Sequence, residues 1–226
     1  LLKEIQDEVF IIAVVRVVRK LIDEGVVPDM ITVIDMAEIT ESFFRVEDVI
    51  DLQKTYVAME FSTTYKVIEE HEAKYIFSYN GLKNKLYLRK YFLDMGIDPR
   101  TDSNLGVGGT VAVTSLFAAK KLGASKIILL GQDLAYGDKT HIDDHSTTQG
   151  IEKIVEKNGV PYFLLNAGGQ RTLMEAIKLK GYYGDEVYSN GSFNAFRIHF
   201  ESIQKNDPDV EIVNSTEGGA YIDGAE

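Results

Sequence analysis

Two apolar periods alternate along this chain, and the alternation sets out its elements. Val9-Phe10-Ile11-Ile12-Ala13 is a continuous apolar run, the pattern of a strand buried on both faces. Val14, Val17, Val18, Leu21 and Ile22 then recur at helical spacing, while Arg16, Arg19, Lys20 and Asp23 take the wet face and Gly25 stops the helix. Further strands are expected over residues 30–34, ending on Asp35, over 56–59 and over 75–78. Helices are expected over 40–51, from Ser62 to about residue 70, and over 82–95, with Asn80-Gly81 marking a strand-to-helix junction. From Thr110 to Leu122 almost every residue is apolar or small, so this helix should lie against a sheet; Lys120 and Lys121 suit its last turn and Gly123 ends it. Lys126-Ile127-Ile128-Leu129-Leu130 reads as a buried strand.

Beyond residue 149 the period shifts toward helix: 149–157 and 172–179 read as helices around a strand at 163–166, with a turn at Gly168-Gly169. The stretch 149–190 is therefore expected to form a small helical lid. A last helix over 193–204 carries Phe193, Phe196 and Phe200 on one face as core packing, and His199 lies off that stripe. Val210 to Val213 is a short strand entering Asn214. Alternating strands and helices predict one α/β domain over 1–226 with a doubly wound, mostly parallel, Rossmann-like sheet.

The polar residues that interrupt this pattern collect after strands. Gly106, Gly108 and Gly109 precede the Thr110 helix, and glycines let a backbone approach a ligand closely. The orphan N–H groups at that helix start suit an anion. The strand ending at Gly131-Gln132-Asp133 leads into Tyr136-Gly137-Asp138-Lys139-Thr140-His141, rich in groups that handle protons and phosphates. In open α/β sheets ligands bind outside the carboxyl ends of strands, which points to a site here. The spacing is neither the dinucleotide fingerprint nor a P-loop, and the plainer reading is a tight loop with Asp133 capping a turn. Asp35 at its strand end can meet a ribose or sugar hydroxyl, or cap the following turn. Thr216-Glu217-Gly218-Gly219 after Asn214 again sets polar groups and glycines at a strand end. Ile142-Asp143-Asp144-His145-Ser146 crowds carboxylates and imidazoles together; such groups bind divalent metals, but the spacing fits no known site, and it is read as a polar lid with no metal site assigned. Lys83, Lys85, Arg89 and Lys90 form the one concentrated basic patch, read as a solvated helix face before a phosphate-binding surface.

Composition narrows the classes. A net charge of −11 over 226 residues argues against a large nucleic-acid or anionic-membrane surface. The chain has no cysteine, which excludes disulfides and thiolate chemistry and agrees with a cytoplasmic location. No apolar run is long enough to span a bilayer, and no basic segment precedes Val9 as in a signal peptide.

Gly108-Gly109-Thr110-Val111-Ala112, Leu129-Leu130-Gly131-Gln132-Asp133-Leu134-Ala135-Tyr136 and Gly137-Asp138-Lys139-Thr140-His141 closely resemble the motility accessory factor proteins. The segment Asn214-Ser215-Thr216-Glu217-Gly218-Gly219-Ala220-Tyr221-Ile222 resembles a second signature of that family. Its members are bacterial flagellin glycosyltransferases, and the resemblance implies a sialyltransferase-like fold. It further implies a nonulosonic (sialic-acid-like) sugar donor activated as its CMP ester, and serine or threonine hydroxyls of flagellin as acceptor. On that reading Gly108, Gly109, Thr110, Gly131, Gln132, Asp35, Asn214, Thr216 and Glu217 are nucleotide-binding candidates. Asp133 faces the oxocarbenium-like centre, Tyr136 the leaving phosphate, and His141 is the base, its ordinary pKa of about 6.5 suiting the task. Sialyltransferases of similar fold work by direct displacement, so inversion with no required cofactor or cation is expected. The family's Gly-x-Gly-Pro-Ser-Leu-type turn is absent, and the chain is read as an internal fragment lacking that strand and turn. Two alternatives stay open: an ATP-dependent transferase like the archaeal pterin diphosphokinases that share this domain, with Asp133, Asp143 and Asp144 as magnesium candidates, or a non-catalytic module that binds a nucleotide sugar or flagellin.

Overall fold

A computed structural model of the chain describes residues 2–34, 54–60, 63, 66, 68, 73–78, 86–96, 109–136, 150–167 and 169–225. They belong to two compact units, Leu1–Gly123 and Ala124–Glu226, where the sequence was read as one domain. Asp35, the helix at 40–51, the Asn80-Gly81 turn, Gly108 and the loop holding His141, Asp143, Asp144 and His145 lie outside the described residues, as does most of the helix expected from Ser62.

The first unit runs α1 (Leu2–Ile5), β1 (Ile12–Val14), a 3-10 turn (Val15–Val17), α2 (Val18–Asp23), β2 (Met30–Val33), β3 (Tyr56–Glu60), β4 (Lys74–Ser78), α3 (Leu86–Asp94) and α4 (Val111–Lys121). Its four strands form a parallel sheet in chain order. Every residue of β2 is buried, and its alternate side chains serve opposite faces, as the pleat requires. Ile31 and Val33 join Ala13, Val15, Val18, Val57 and Met59 on one side. Met30 packs with Ala58 and with Ala118 of α4 on the other. Helices thus cover both faces, the arrangement that makes near-continuous apolar strands stable. Thr32 is the polar exception at the centre, and its hydroxyl meets the Ala13 carbonyl at 3.3 Å and Ser115 Oγ of α4 at 2.6 Å, so the buried oxygen is satisfied. Asp29 sets the register: its carboxylate accepts from Ile11 N–H at 2.8 Å, and its carbonyl accepts from Tyr56 N–H at 2.8 Å. The apolar run 9–13 is a strand only in its later part, with Phe10 exposed before β1 begins.

The second unit contains β5 (Lys126–Leu129), β6 (Gly150–Lys157), β7 (Val160–Ala167), β8 (Gln170–Glu175), β9 (Ile177–Lys180), β10 (Glu186–Ser189), α5 (Gly191–Asn206) and β11 (Glu211–Asn214). β5 and β11 pair in parallel, with Leu129 opposite Asn214. The Lys126–Glu211 ion pair across them, at 2.6 Å and open to water, contributes at most about 1 kcal/mol. β5 is buried on one side only: Leu129 is 8% exposed and Ile128 51%, against the expectation of a strand covered on both faces.

The stretch 149–190 corrects the sequence reading most sharply. It is not a helical lid but an antiparallel meander, β6-β7-β8, followed by the antiparallel pair β9 and β10. Ile151, Ile154 and Val155 recur at three and four residues, which imitates a helix. The cause is an irregularity in the β6–β7 register between Ile151 and Lys153; a bulge inserts one residue and shifts the alternation. Leu173, Ala176 and Ile177 imitate a helix in the same way, because β8 ends at Glu175 and β9 starts at Ile177. The buried cluster of Phe163, Leu165 and Ala176, with Ile151, Met174, Tyr136 and Tyr188 packed on it, fixes one face of the meander.

This assignment has a direct test. Pro161 is tolerated near the start of β7, whereas a proline at the central Leu164 would remove a ladder donor from a strand paired on both edges. Leu164→Pro should abolish amide exchange protection across 150–175; protection equal to the parent's would mean the segment is not this sheet.

Candidate functional site

The paired strands β5 and β11 end at the same level, and the chain after each folds back onto the other. Ser215 N–H donates to the Leu129 carbonyl at 2.9 Å, extending the ladder one step. Gln132 N–H donates to Thr216 Oγ1 at 3.0 Å, and Thr216 N–H donates to Asn214 Oδ1 at 3.2 Å. Ala220 N–H then donates to the Asp133 carbonyl at 2.7 Å. Asn214 and Thr216 are each 3% exposed; the Thr216 side chain joins the two turns from inside, and that of Asn214 braces its own turn. Two backbone positions allow the crossing. Gly131 turns at φ +68° into open space, and Gly219, at φ +78°, lies against the Asp133 backbone, where any side chain would meet the carbonyl oxygen and Cα.

The third component is the β9–β10 pair and the helix that follows it. Tyr136 N–H donates to the Tyr188 carbonyl at 2.8 Å, and Ser189 Oγ donates to the Leu134 carbonyl at 2.7 Å. Asn190 caps α5, its Oδ1 accepting from Phe193 N–H at 2.8 Å, the usual task of a helix-capping amide. Its Nδ2 donates to the Tyr136 hydroxyl oxygen at 2.6 Å. The Tyr136 ring stacks on Phe193 at 4.9 Å and meets Phe163 edge-on at 4.8 Å. Burial among these rings raises the Tyr136 pKa above its ordinary 10.0, so at neutral pH it is a phenol able to donate. Burial also raises the Asp133 carboxyl above the ordinary 3.8, although much of the residue remains open to solvent.

Of the sequence-derived candidates, the structure brings Gly131, Gln132, Asp133, Tyr136, Asn214 and Thr216 into one interlocked set at the strand ends of the second unit. Glu217 is on the same turn and exposed. Gly109 and Thr110 open α4 in the first unit; Thr110 is its N-cap residue, makes no side-chain capping bond, and no acidic residue lies in the first turn. Gly108, Asp35 and His141 lie outside the described residues. Sequence reasoning passed over Ser189 and Asn190. Their signal was present, since asparagine before a helix that opens Gly191-Ser192-Phe193 is a capping pattern. Among the described residues no group of three or more His, Asp or Glu side chains could hold a metal ion, and no helix is long and apolar enough to cross a membrane.

The model of one protein family, described as 6-hydroxymethylpterin diphosphokinase MptE-like, matches residues 1–139. The chain belongs to the MptE-like family. Across its whole length it shares the fold of a solved structure, the MAf glycosyltransferase from Magnetospirillum magneticum AMB-1, with a TM-score of 0.71 and 17% identity. The match covers 100% of this chain and 30% of that one, so the chain spans about a third of that protein's length. No curated protein matches the sequence. The family match takes in Gly109, Gly131, Asp133 and Tyr136, whereas the β6–β8 meander and the 214–222 segment lie beyond its end and are reached by the structural likeness.

Two measurements probe this geometry. Gly131→Ala should cost about 1–2 kcal/mol, the usual penalty for a side chain in left-handed backbone, and Gly219→Ala distinctly more, because its methyl also strikes the Asp133 backbone; urea midpoints compare them, and equal losses would contradict the interlock. The raised Asp133 pKa means that the folded state favours the neutral acid, so ionisation works against folding as pH rises past 3.8. Asp133→Asn should therefore match the parent below that pH and gain stability over it toward neutrality; a loss at pH 7 with parity in acid would reverse the sign.

Proposed function

We propose that this chain belongs to a glycosyltransferase that moves a nonulosonic (sialic-acid-like) sugar from its CMP-activated donor to serine or threonine hydroxyls of flagellin. The observation that carries the reading is the interlocked pair of turns at the ends of β5 and β11. It sets a carboxylate, Asp133, and a hydrogen-bond donor, Tyr136, on a rigid frame at a sheet's carboxyl edge, where α/β proteins bind ligands. Those turns lie in two of the segments whose sequence resembles the motility accessory factor proteins, and a glycosyltransferase shares the fold.

The chemistry divides simply. The bond from the anomeric carbon to the phosphate oxygen breaks as the acceptor oxygen attacks the opposite face, inverting the centre. Tyr136 donates to the departing phosphate oxygen, which gathers negative charge. Asp133, when ionised, offsets the positive charge spread over the sugar ring. His141 takes the acceptor proton. Gly131 and Gln132 supply backbone at the turn, Glu217 is proposed to meet a nucleotide hydroxyl, and Asn214 and Thr216 hold the turn. From its sequence, the Gly108-Gly109-Thr110 segment before α4 is proposed to bind phosphate. The reaction so written uses no resident metal or cofactor, and a cytoplasmic location, where activated sugar and unassembled flagellin meet, is part of the proposal.

The family description favours a second reading, transfer of pyrophosphate from ATP to a hydroxymethylpterin. Nucleotide choice separates the two. CMP at a hundredfold excess over its dissociation constant should stabilise the full-length protein by about 2.7 kcal/mol, read as a rise in its thermal midpoint, with no comparable effect of ATP and magnesium. Protection by ATP and magnesium alone would favour the second reading. Binding of CMP without turnover would leave a nucleotide-sugar-binding module. In the active protein His141→Ala should lower the rate about 10²–10⁴-fold with little change in nucleotide affinity; near-parental turnover of this variant and of the His141→Ala/His145→Ala pair would place the base elsewhere.

A further inference from the structure

The Asn190 amide is bonded on both sides, and that decides the direction of the hydrogen bond it shares with Tyr136. Phe193 N–H donates to the Asn190 oxygen at 2.8 Å. A backbone N–H cannot accept, so this atom must be the amide oxygen, and the other terminal atom is the NH₂ group. That NH₂ lies 2.6 Å from the Tyr136 hydroxyl oxygen and 3.7 Å from the Met174 sulfur. Having only hydrogens to offer, it makes the phenol oxygen the acceptor. The phenol's own hydrogen must therefore lie on the far side of its oxygen, in the ring plane and away from Asn190. Among the described residues nothing accepts it. The ring cannot swing to avoid this, because Phe193 stacks on it and Phe163 closes its edge. The backbone cannot shift either, held by Tyr136 N–H on Tyr188 and Ser189 Oγ on Leu134.

We propose that Asn190 is a positioning residue: by capping α5 with its oxygen and donating to Tyr136 with its nitrogen, it fixes the Tyr136 hydroxyl as a donor aimed away from the helix, toward a phosphate oxygen of the ligand. This rests on the phosphate-facing role of Tyr136 given above and adds what makes that role reliable. A free phenol can turn its hydrogen inward to any nearby acceptor. With the inner side already taken by an N–H donor, the outward orientation is set before the ligand arrives and costs no reorganisation when charge develops on the leaving group. The helix N-terminus acts here only through the residue that caps it.

The test separates capping from aiming. Asn190→Asp keeps a strong N-cap but replaces the NH₂ with an acceptor, so the Tyr136 hydrogen turns inward. Asn190→Ser also caps, without reaching the phenol. Both variants should stay folded, with thermal midpoints near the parent's. In the full-length protein each should lower kcat about 10- to 100-fold, the scale of one hydrogen bond to a charged group, with the KM for the CMP-sugar little changed. In a Tyr136→Phe background the Asn190→Asp change should cost nothing further. Full additivity of the two losses, or parental kcat in Asn190→Asp, would overturn the proposal. A second readout does not depend on turnover. With the protein labelled with 3-fluorotyrosine and its Tyr136 fluorine resonance assigned from Tyr136→Phe, Asn190→Asp should raise the pKa of that tyrosine, because a donor to the phenolate is lost and a negative charge gained. The neighbouring Phe163 and Phe193 do not titrate and add nothing to the shift. If the parent transfers no sugar from CMP donors, the glycosyltransferase reading fails while this titration still decides the hydrogen bond: a raised pKa supports it, and an unchanged one overturns it.

Discussion

The backbone bond from Ala220 N–H to the Asp133 carbonyl, at 2.7 Å, is the constraint on which the site depends. It forms only because Gly219 brings one chain segment against another with no side chain between them. Thr216 and Asn214 reinforce it from inside the turn. Once the crossing is made, the positions of Gly131, Gln132 and Asp133 follow from it, and Leu134 is held from the other side by Ser189. Hydrogen bonds made within the chain thus fix the backbone of both turns.

Tyr136 shows how the rest of the second unit serves that platform. Its ring closes the apolar face of the β6–β8 meander, while its hydroxyl reaches the cap of α5. One residue therefore couples an antiparallel sheet, a helix start and the turn bearing Asp133. The sheet supplies rigidity through Phe163 and Leu165, and the helix supplies direction through Asn190. Moving either would shift the tyrosine, which is proposed to face the leaving phosphate.

Much of this was legible in the residues. The fully buried β2, apolar but for Thr32, the small-residue α4 and the Gly131 and Gly218-Gly219 turns each carry a local pattern, and the structure follows it. Asp133, Tyr136, Asn214 and Thr216 were singled out because polar groups gather there after apolar strands, and the structure brings them into one interlocked set. What sequence could not reveal was how two turns some 85 residues apart interlock, since a hydrogen bond such as Gln132 to Thr216 leaves no periodic trace. The meander was misread for a related reason. A register shift between Ile151 and Lys153 changes the same-face spacing of Ile151 and Ile154 from two to three, and one-dimensional periodicity cannot distinguish a bulged strand from a helix turn. Asn214 and Thr216 were named as nucleotide candidates, and in the structure both are buried and hydrogen-bonded within the turns.

The central claim is that the turns locked by Gly219 and Thr216 form the platform for the nucleotide sugar. Backbone amide chemical shifts of isotope-labelled protein titrated with CMP test it most directly. The account predicts saturable shifts centred on Gly131, Gln132, Asp133 and Tyr136, with Glu217 and Gly218 moving at the same midpoint. Saturable shifts confined to other parts of the chain, with these amides unmoved, would contradict it.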